Sequence, residues 1–123
     1  MRNACRFTLV AAALLVLGCG SSTPTTQPAA RDQASVAACN YYARCSMVGA
    51  GLKYETADSC LTQVKASFDT AWPAAQCKTI SSMGINNCIT AINIASCGNA
   101  ADTWDVLFNK CTKANVCTDG SDE

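Results

Sequence analysis

Eight cysteines fall between Cys39 and Cys117, separated by 5, 14, 16, 10, 8, 13 and 5 residues. A stretch that short supplies only a marginal hydrophobic core, so its fold leans on covalent staples. Metal sites are the competing use of so many thiols, and they favour Cys-x-x-Cys pairs, none of which occurs here. The same absence removes the thioredoxin-type redox motif. An even number of cysteines in an exported chain reads instead as a disulfide framework. Four bridges at about 2–4 kcal/mol each contribute on the order of 8–16 kcal/mol, comparable to the net stability of a typical domain. Cys39, Cys45, Cys60, Cys77, Cys88, Cys97, Cys111 and Cys117 are therefore expected to be structural disulfide cysteines, with no metal and no cofactor.

The other two cysteines, Cys5 and Cys19, belong to a different part of the chain. Arg2 and Arg6 open it, and an apolar run of 11 residues follows from Phe7 to Leu17, broken only by Thr8. That is the size of a secretory signal core and too short for a bilayer, which needs about 20 residues. The run ends in Val16-Leu17-Gly18-Cys19, which resembles the bacterial lipobox. The resemblance implies that residues 1–18 are a lipoprotein signal peptide and that Cys19 is the lipidation site. Several acyl chains, each stabilised by about 0.8 kcal/mol per buried methylene, make a lasting membrane anchor. Gly20 stands where an aspartate would mark inner-membrane retention, so the outer membrane is favoured over the inner.

Cleavage before Cys19 removes two of the nine basic residues and none of the nine acidic ones. The exported part is then slightly acidic, without the basic stripe that nucleic acid requires. The chain has no histidine, which excludes Ser-His-Asp and Cys-His catalysis and any imidazole ligand. Gly49-Ala50-Gly51-Leu52-Lys53 lacks the preceding strand and the Gly-Lys-Ser/Thr element of a phosphate loop and reads as a turn. Asp102 and Asp105 read as a solvated helix start rather than a cation site. No enzyme is expected.

Residues 19–31, with Pro24 and Pro28 among small polar residues, read as the lipidated cysteine and a flexible tether. Residues 32–117 form the domain, and residues 118–123 an acidic tail. An alanine-rich segment from Arg31 to about Met47 is helical, with Val36, Cys39 and Ala43 on one face. Thr56 caps a second helix whose stripe, Cys60, Val64, Phe68 and Trp72, recurs every four residues until Pro73 ends it. A third helix runs from about Ile85 to Ser96, with a strand as the alternative. A fourth begins at Asp102-Thr103 and turns Trp104, Leu107, Phe108 and Cys111 inward. The fold class is all-α: a small disulfide-stabilised bundle of about four short helices behind a lipoprotein signal and tether. Among about a hundred pairings of eight cysteines, helical hairpins bring Cys45 near Cys60 and Cys88 near Cys111.

Tyr41, Tyr42, Tyr54, Trp72 and Trp104 are the aromatics that a ligand groove would use. Core packing is the plainer role for the two tryptophans. Lys53 and Tyr54 lie on a loop beside two glycines, where binding residues concentrate. The candidate binding set is Lys53, Tyr54, Tyr41 and Tyr42.

Several spaced elements resemble a family of small myxobacterial lipoproteins. They are Cys39/Tyr42/Cys45, Gly49/Gly51/Tyr54, Cys60, Trp72-Pro73, Cys77, Asn86/Cys88/Ala91-Ile92, Cys97-Gly98-Asn99, Lys110-Cys111 and Val116-Cys117. Members of that family are described as natural-product-biosynthesis lipoproteins of unknown function. The resemblance covers the whole exported domain and all eight of its cysteines. It implies a membrane-tethered accessory near secondary-metabolite pathways, and it carries over no catalytic or binding residue. The expected partners are the membrane, through the lipid anchor, and an unidentified small molecule or envelope protein. The alternatives are a purely structural envelope lipoprotein and a metabolite-tailoring enzyme.

Overall fold

The computed structural model describes residues 22–118. The expected signal peptide, Cys19 and the tail beyond Thr118 lie outside the described residues. The described residues form five helices: α1 (Gln27–Arg44), α2 (Ala57–Ala71), α3 (Ser82–Ile94), α4 (Ala100–Asp105) and the short α5 (Lys113–Val116). A 3₁₀ turn (Ala74–Gln76) follows α2, and a π-helical turn (Val106–Lys110) continues α4. The strands β1 (Thr79–Ile80) and β2 (Cys117–Thr118) form one minimal antiparallel pair. The all-α, disulfide-stabilised class is correct, and the third helix is a helix rather than a strand.

α1 starts at Gln27, inside the segment whose composition reads as tether. Proline is tolerated in a first helical turn because its missing N–H would find no partner there anyway, and Pro28 sits in that turn. Gln27 itself is buried. Its Nε2 donates to the Trp72 carbonyl at 2.8 Å and to Asp69 Oδ1 at 3.0 Å, tying the start of α1 to the end of α2. α1 packs against both α2 and α3, so its buried arc is wide and made of small residues: Ala30, Ala34, Ser35, Ala37 and Ala38. The expected face of Val36, Cys39 and Ala43 is corrected accordingly. Cys39 is buried, but Val36 is half exposed at 50 % and Ala43 is exposed. α1 ends before the glycines, at Arg44, where Ser46 takes the left-handed conformation with φ 58°.

α2 follows the pattern of its residues. Thr56 and Ser59 form a reciprocal capping box, with each side chain accepting from the other's backbone N–H. Cys60, Val64 and Trp72 are buried, and Phe68 is half-buried and stacks on Trp72 with ring centroids 4.5 Å apart. The Trp72 indole N–H donates to the Cys111 carbonyl at 2.8 Å. A single tryptophan thereby joins the start of α1, the end of α2 and the end of the π turn.

α3 begins at Ser82, with Ser81 capping it through the Gly84 N–H. Gly84 is a close-approach site, because a side-chain carbon there would run into the Asn115 carbonyl of α5. The C-terminal end returns to the start of α3: Thr79 pairs with Thr118 and Ile80 with Cys117, and the Ser81 N–H donates to the Val116 carbonyl at 2.9 Å. Thr118, which composition groups with the tail, is thus part of the β pair.

The fourth helix departs from expectation twice. Its cap is Asn99, whose side chain accepts from the N–H groups of Ala101 and Asp102. Trp104, Leu107 and Phe108 do not face inward, being 60 %, 57 % and 56 % exposed, whereas Cys111 is buried. The wider π turn starting at Val106 rotates Cys111 inward, where its N–H reaches the Val106 carbonyl.

All eight domain cysteines pair, as Cys39–Cys60, Cys45–Cys97, Cys77–Cys117 and Cys88–Cys111. Cys88–Cys111 is the bridge expected from a hairpin of the third and fourth helices. The expected approach of Cys45 to Cys60 is wrong. Cys60 lies in the first turn of α2 and meets Cys39 inside α1, Cα–Cα 6.0 Å, because the long α1–α2 loop lets the end of α1 overshoot it. Cys45, just past that end, reaches Cys97 in the α3–α4 link instead.

Candidate functional site

The loop between α1 and α2 is closed by backbone hydrogen bonds. The Met47 N–H donates to the Tyr42 carbonyl at 2.8 Å, the Tyr54 N–H to Met47 at 3.0 Å, and the Gly49 N–H to Tyr54 at 2.8 Å. Closing so short an excursion needs positive φ, which Gly49 (149°) and Gly51 (77°) supply. The effect is to fold Tyr54 back under the end of α1. Its ring is buried and lies 5.0 Å from that of Tyr42, which in turn meets the Tyr41 ring edge-on at 5.4 Å.

Lys53, next in the loop, is exposed, and its ammonium is held by aromatic faces. Nζ lies 4.4 Å from the centroid of Tyr42 and 5.3 Å from that of Tyr54, within cation–π range. Arg44 lies over the outer tyrosine, Tyr41, and donates to the Ala95 carbonyl at 2.9 Å. With the neighbouring Cys45–Cys97 bridge, this bond pins the end of α1 to the link before α4.

Tyr41, Tyr42, Lys53 and Tyr54 line one end of a cleft of ≈ 340 Å³ that opens between α1, α2, α3 and the α4–π segment. Its size is in the range of small-molecule sites. Val64, Phe68 and Ala71 of α2, Ile92 of α3, and Val106 and Leu107 of the π turn make the apolar walls, and Cys111 of the Cys88–Cys111 bridge also lines it. Ser67 and Thr103 add hydroxyls. Among the described residues no carboxylate lines the cleft, and Lys53 is its one charged side chain. Burial, and next the Tyr42 phenol beside it, push the Tyr54 phenol up to about 12, so Tyr54 is a neutral hydroxyl throughout the physiological range. The arrangement offers an apolar bed, phenol and alcohol hydroxyls, and a single ammonium at one end.

Tyr41, Tyr42, Lys53 and Tyr54, the candidate binding residues singled out in the sequence, are therefore brought together. The two tryptophans stay out of the cleft: Trp72 is core, and Trp104 lies on the outer face of α4 against Phe108. Asp102 and Asp105 do not converge. Asp102 accepts from the Ser96 N–H, and Asp105 from the Asn109 side-chain amide. Among the described residues no group of His, Cys, Asp or Glu is arranged to hold a metal ion. Phe68, Ile92 and Val106 also form cleft walls, a role that their places in the sequence do not announce. Their apolar periodicity is a genuine signal, but it places them on an inner face without revealing that the face is left partly open.

The sequence model of a family of unknown function (DUF6184) matches residues 39–119, which begin at the first domain cysteine and include all eight. The match covers more than half of the chain, and the chain belongs to that family. No curated protein and no solved structure matches it.

Proposed function

We propose that this member of the family is a lipid-anchored, non-enzymatic binding module of the bacterial cell envelope, whose cleft captures a small, largely apolar molecule. The observation that carries the reading is the convergence of Tyr41, Tyr42, Lys53 and Tyr54 on one apolar-walled cleft. Two further features support it. Three of the four disulfides join the elements of the cleft before any ligand arrives, which lowers the ordering cost of binding. The absence of histidine from the sequence and of any carboxylate among the described lining residues favours holding a molecule over transforming it.

The anchor is Cys19 in the lipobox-like stretch, and the favoured location is the outer membrane. With α1 starting at Gln27, residues 20–26 span at most about 25 Å when fully extended, which limits how far the start of α1 can stand from the membrane. The resemblance to myxobacterial natural-product lipoproteins points to a secondary metabolite as the captured molecule.

The test is native and denaturing mass spectrometry of protein extracted from its own membranes. Acylated Cys19, no alkylatable thiols and a co-purifying small mass are expected. A Ser67→Trp variant fills the cleft from an exposed position and should lose that mass while keeping the acyl chains. An empty wild-type domain, or a mass retained by Ser67→Trp, would sink the cleft reading. Unmodified Cys19 would sink the anchor.

A further inference from the structure

We infer that the molecule taken into the cleft is a monoanionic amphiphile, a carboxylate on an apolar body, and that Lys53 receives the anionic group beside the Tyr42 phenol. The inference rests on the cleft being a binding site, as proposed above, and goes on to assign its polar end.

The ion pairs of the described residues lie elsewhere, joining Arg31 to Asp32 and Asp69, and Lys65 to Asp32. Lys53 is held by the faces of Tyr42 and Tyr54 instead. A ring face attracts an ammonium but neutralises none of its charge, so the position is fixed while the positive end remains available. The loop that carries it is closed by the Gly49–Tyr54 and Tyr54–Met47 backbone bonds, so the ammonium is placed by the fold rather than by a free chain end.

The surroundings narrow the ligand further. A cationic ligand would compete with Lys53 for the Tyr42 face and meet its charge at close range. A neutral one would gain nothing from the ammonium. A phosphate dianion calls for paired guanidinium forks or a cluster of cations, and Lys53 is the one charged group among the described lining residues. One ammonium beside phenol donors fits a single carboxylate. Val64, Phe68, Ile92 and Val106 then receive the apolar body.

The experiment uses the full chain exported with Cys19→Ser, to prevent acylation, and three probes of equal chain length: decanoate, 1-decanol and decyltrimethylammonium. Affinities are measured by calorimetry below micelle-forming concentrations. Decanoate should bind at least about tenfold more tightly than decanol, the discrimination typical of one charge-assisted hydrogen bond. Rising salt should shrink that preference, because Lys53 is exposed. Lys53→Met should abolish it, and Lys53→Glu should turn it towards the ammonium probe. Circular dichroism and an oxidised-cysteine mass check that both variants fold. Equal binding of decanoate and decanol, or a preference that survives Lys53→Met, overturns the carboxylate assignment and leaves the cleft reading standing. If none of the three probes binds, or Ser67→Trp binds them all as the parent does, the cleft reading falls and this inference with it.

Discussion

Trp72 and Trp104 occupy similar places in the sequence pattern, each within a run of apolar residues at helical spacing, yet Trp72 is 0 % exposed and Trp104 60 %. Trp72 sits where three segments meet. Phe68 covers one face, its carbonyl receives Gln27, and its indole N–H finds the Cys111 carbonyl. Trp104 has Phe108 beside it, at 4.1 Å between centroids, and solvent over the rest. Helical periodicity says which residues share a face. It does not say whether another element arrives to cover that face. α2 has α1 along its length, whereas α4 borders the cleft on one side and leaves Trp104 exposed among the described residues.

The sharpest test of that contrast is a pair of truncations. Trp72→Ala should lower stability by about 3–5 kcal/mol, the range for a buried aromatic, and it also strips the Cys111 carbonyl of its donor. Trp104→Ala should stay within about 0.5 kcal/mol, as exposed substitutions do. Urea unfolding with all bridges oxidised measures both. Equal losses would erase the distinction between the two regions.

The bridges repeat the contrast. Cys88–Cys111 is buried beside Trp72, while Cys97 of the Cys45–Cys97 pair is exposed. Limited reduction followed by differential alkylation should open Cys45–Cys97 first. Replacing both its cysteines by serine should cost about 2–4 kcal/mol. It should also weaken ligand capture, because this bridge ties the α1 end to the α4 side of the cleft. Earlier opening of Cys88–Cys111 would show that the Trp72 corner is the looser region.

Alkali probes the boundary between the closed core and the open cleft. The Tyr54 phenol is pushed up to about 12 by burial and by Tyr42, against an ordinary value of about 10. In that window the folded chain holds a proton that the unfolded chain has released. The Tyr54 contribution is therefore complete below about pH 10 and lost as pH rises through about 12. Tyr54→Phe should flatten the fall in stability across that interval, read as the pH dependence of the urea midpoint. An unchanged alkaline slope would place Tyr54 on the solvent side of the boundary.

Another small effect lies inside the core. Ser35 is fully buried in α1, and its hydroxyl has no hydrogen-bond partner among the described residues. A buried polar atom without a partner carries a desolvation cost, so Ser35→Ala should leave stability unchanged or raise it by up to about 1 kcal/mol. A clear loss in the same urea measurement would reveal packing around the hydroxyl as tight as that around Trp72.

Much of α2 is legible without coordinates, because its signals are local. Thr56 caps it, Asp58 lies in its first turn, the Cys60–Val64–Phe68–Trp72 stripe repeats every turn, and Pro73 stops it. The candidate binding residues were legible for a similar reason, since a lysine and a tyrosine on a glycine-bounded loop signal recognition wherever the loop lands. α1 was harder. Its alanines satisfy a helix on any face, and only two neighbouring helices decide that Ala30, Ala34 and Ala38 turn inward while Val36 does not.

Composition and spacing by themselves determined that the domain is helical, that its eight cysteines serve the fold, and where α2 begins and ends. Those properties follow from backbone propensity, capping and the thin core of so short a stretch, all of which act within a few residues or on the whole chain. Tertiary structure alone decided that Cys39 rather than Cys45 meets Cys60, that Gly84 must admit the backbone of α5, and that Tyr41, Tyr42, Lys53 and Tyr54 face one cleft. Each of these is a distance between elements remote in sequence. It is set by how far the α1–α2 loop lets the helices slide past one another and by which faces no later segment covers.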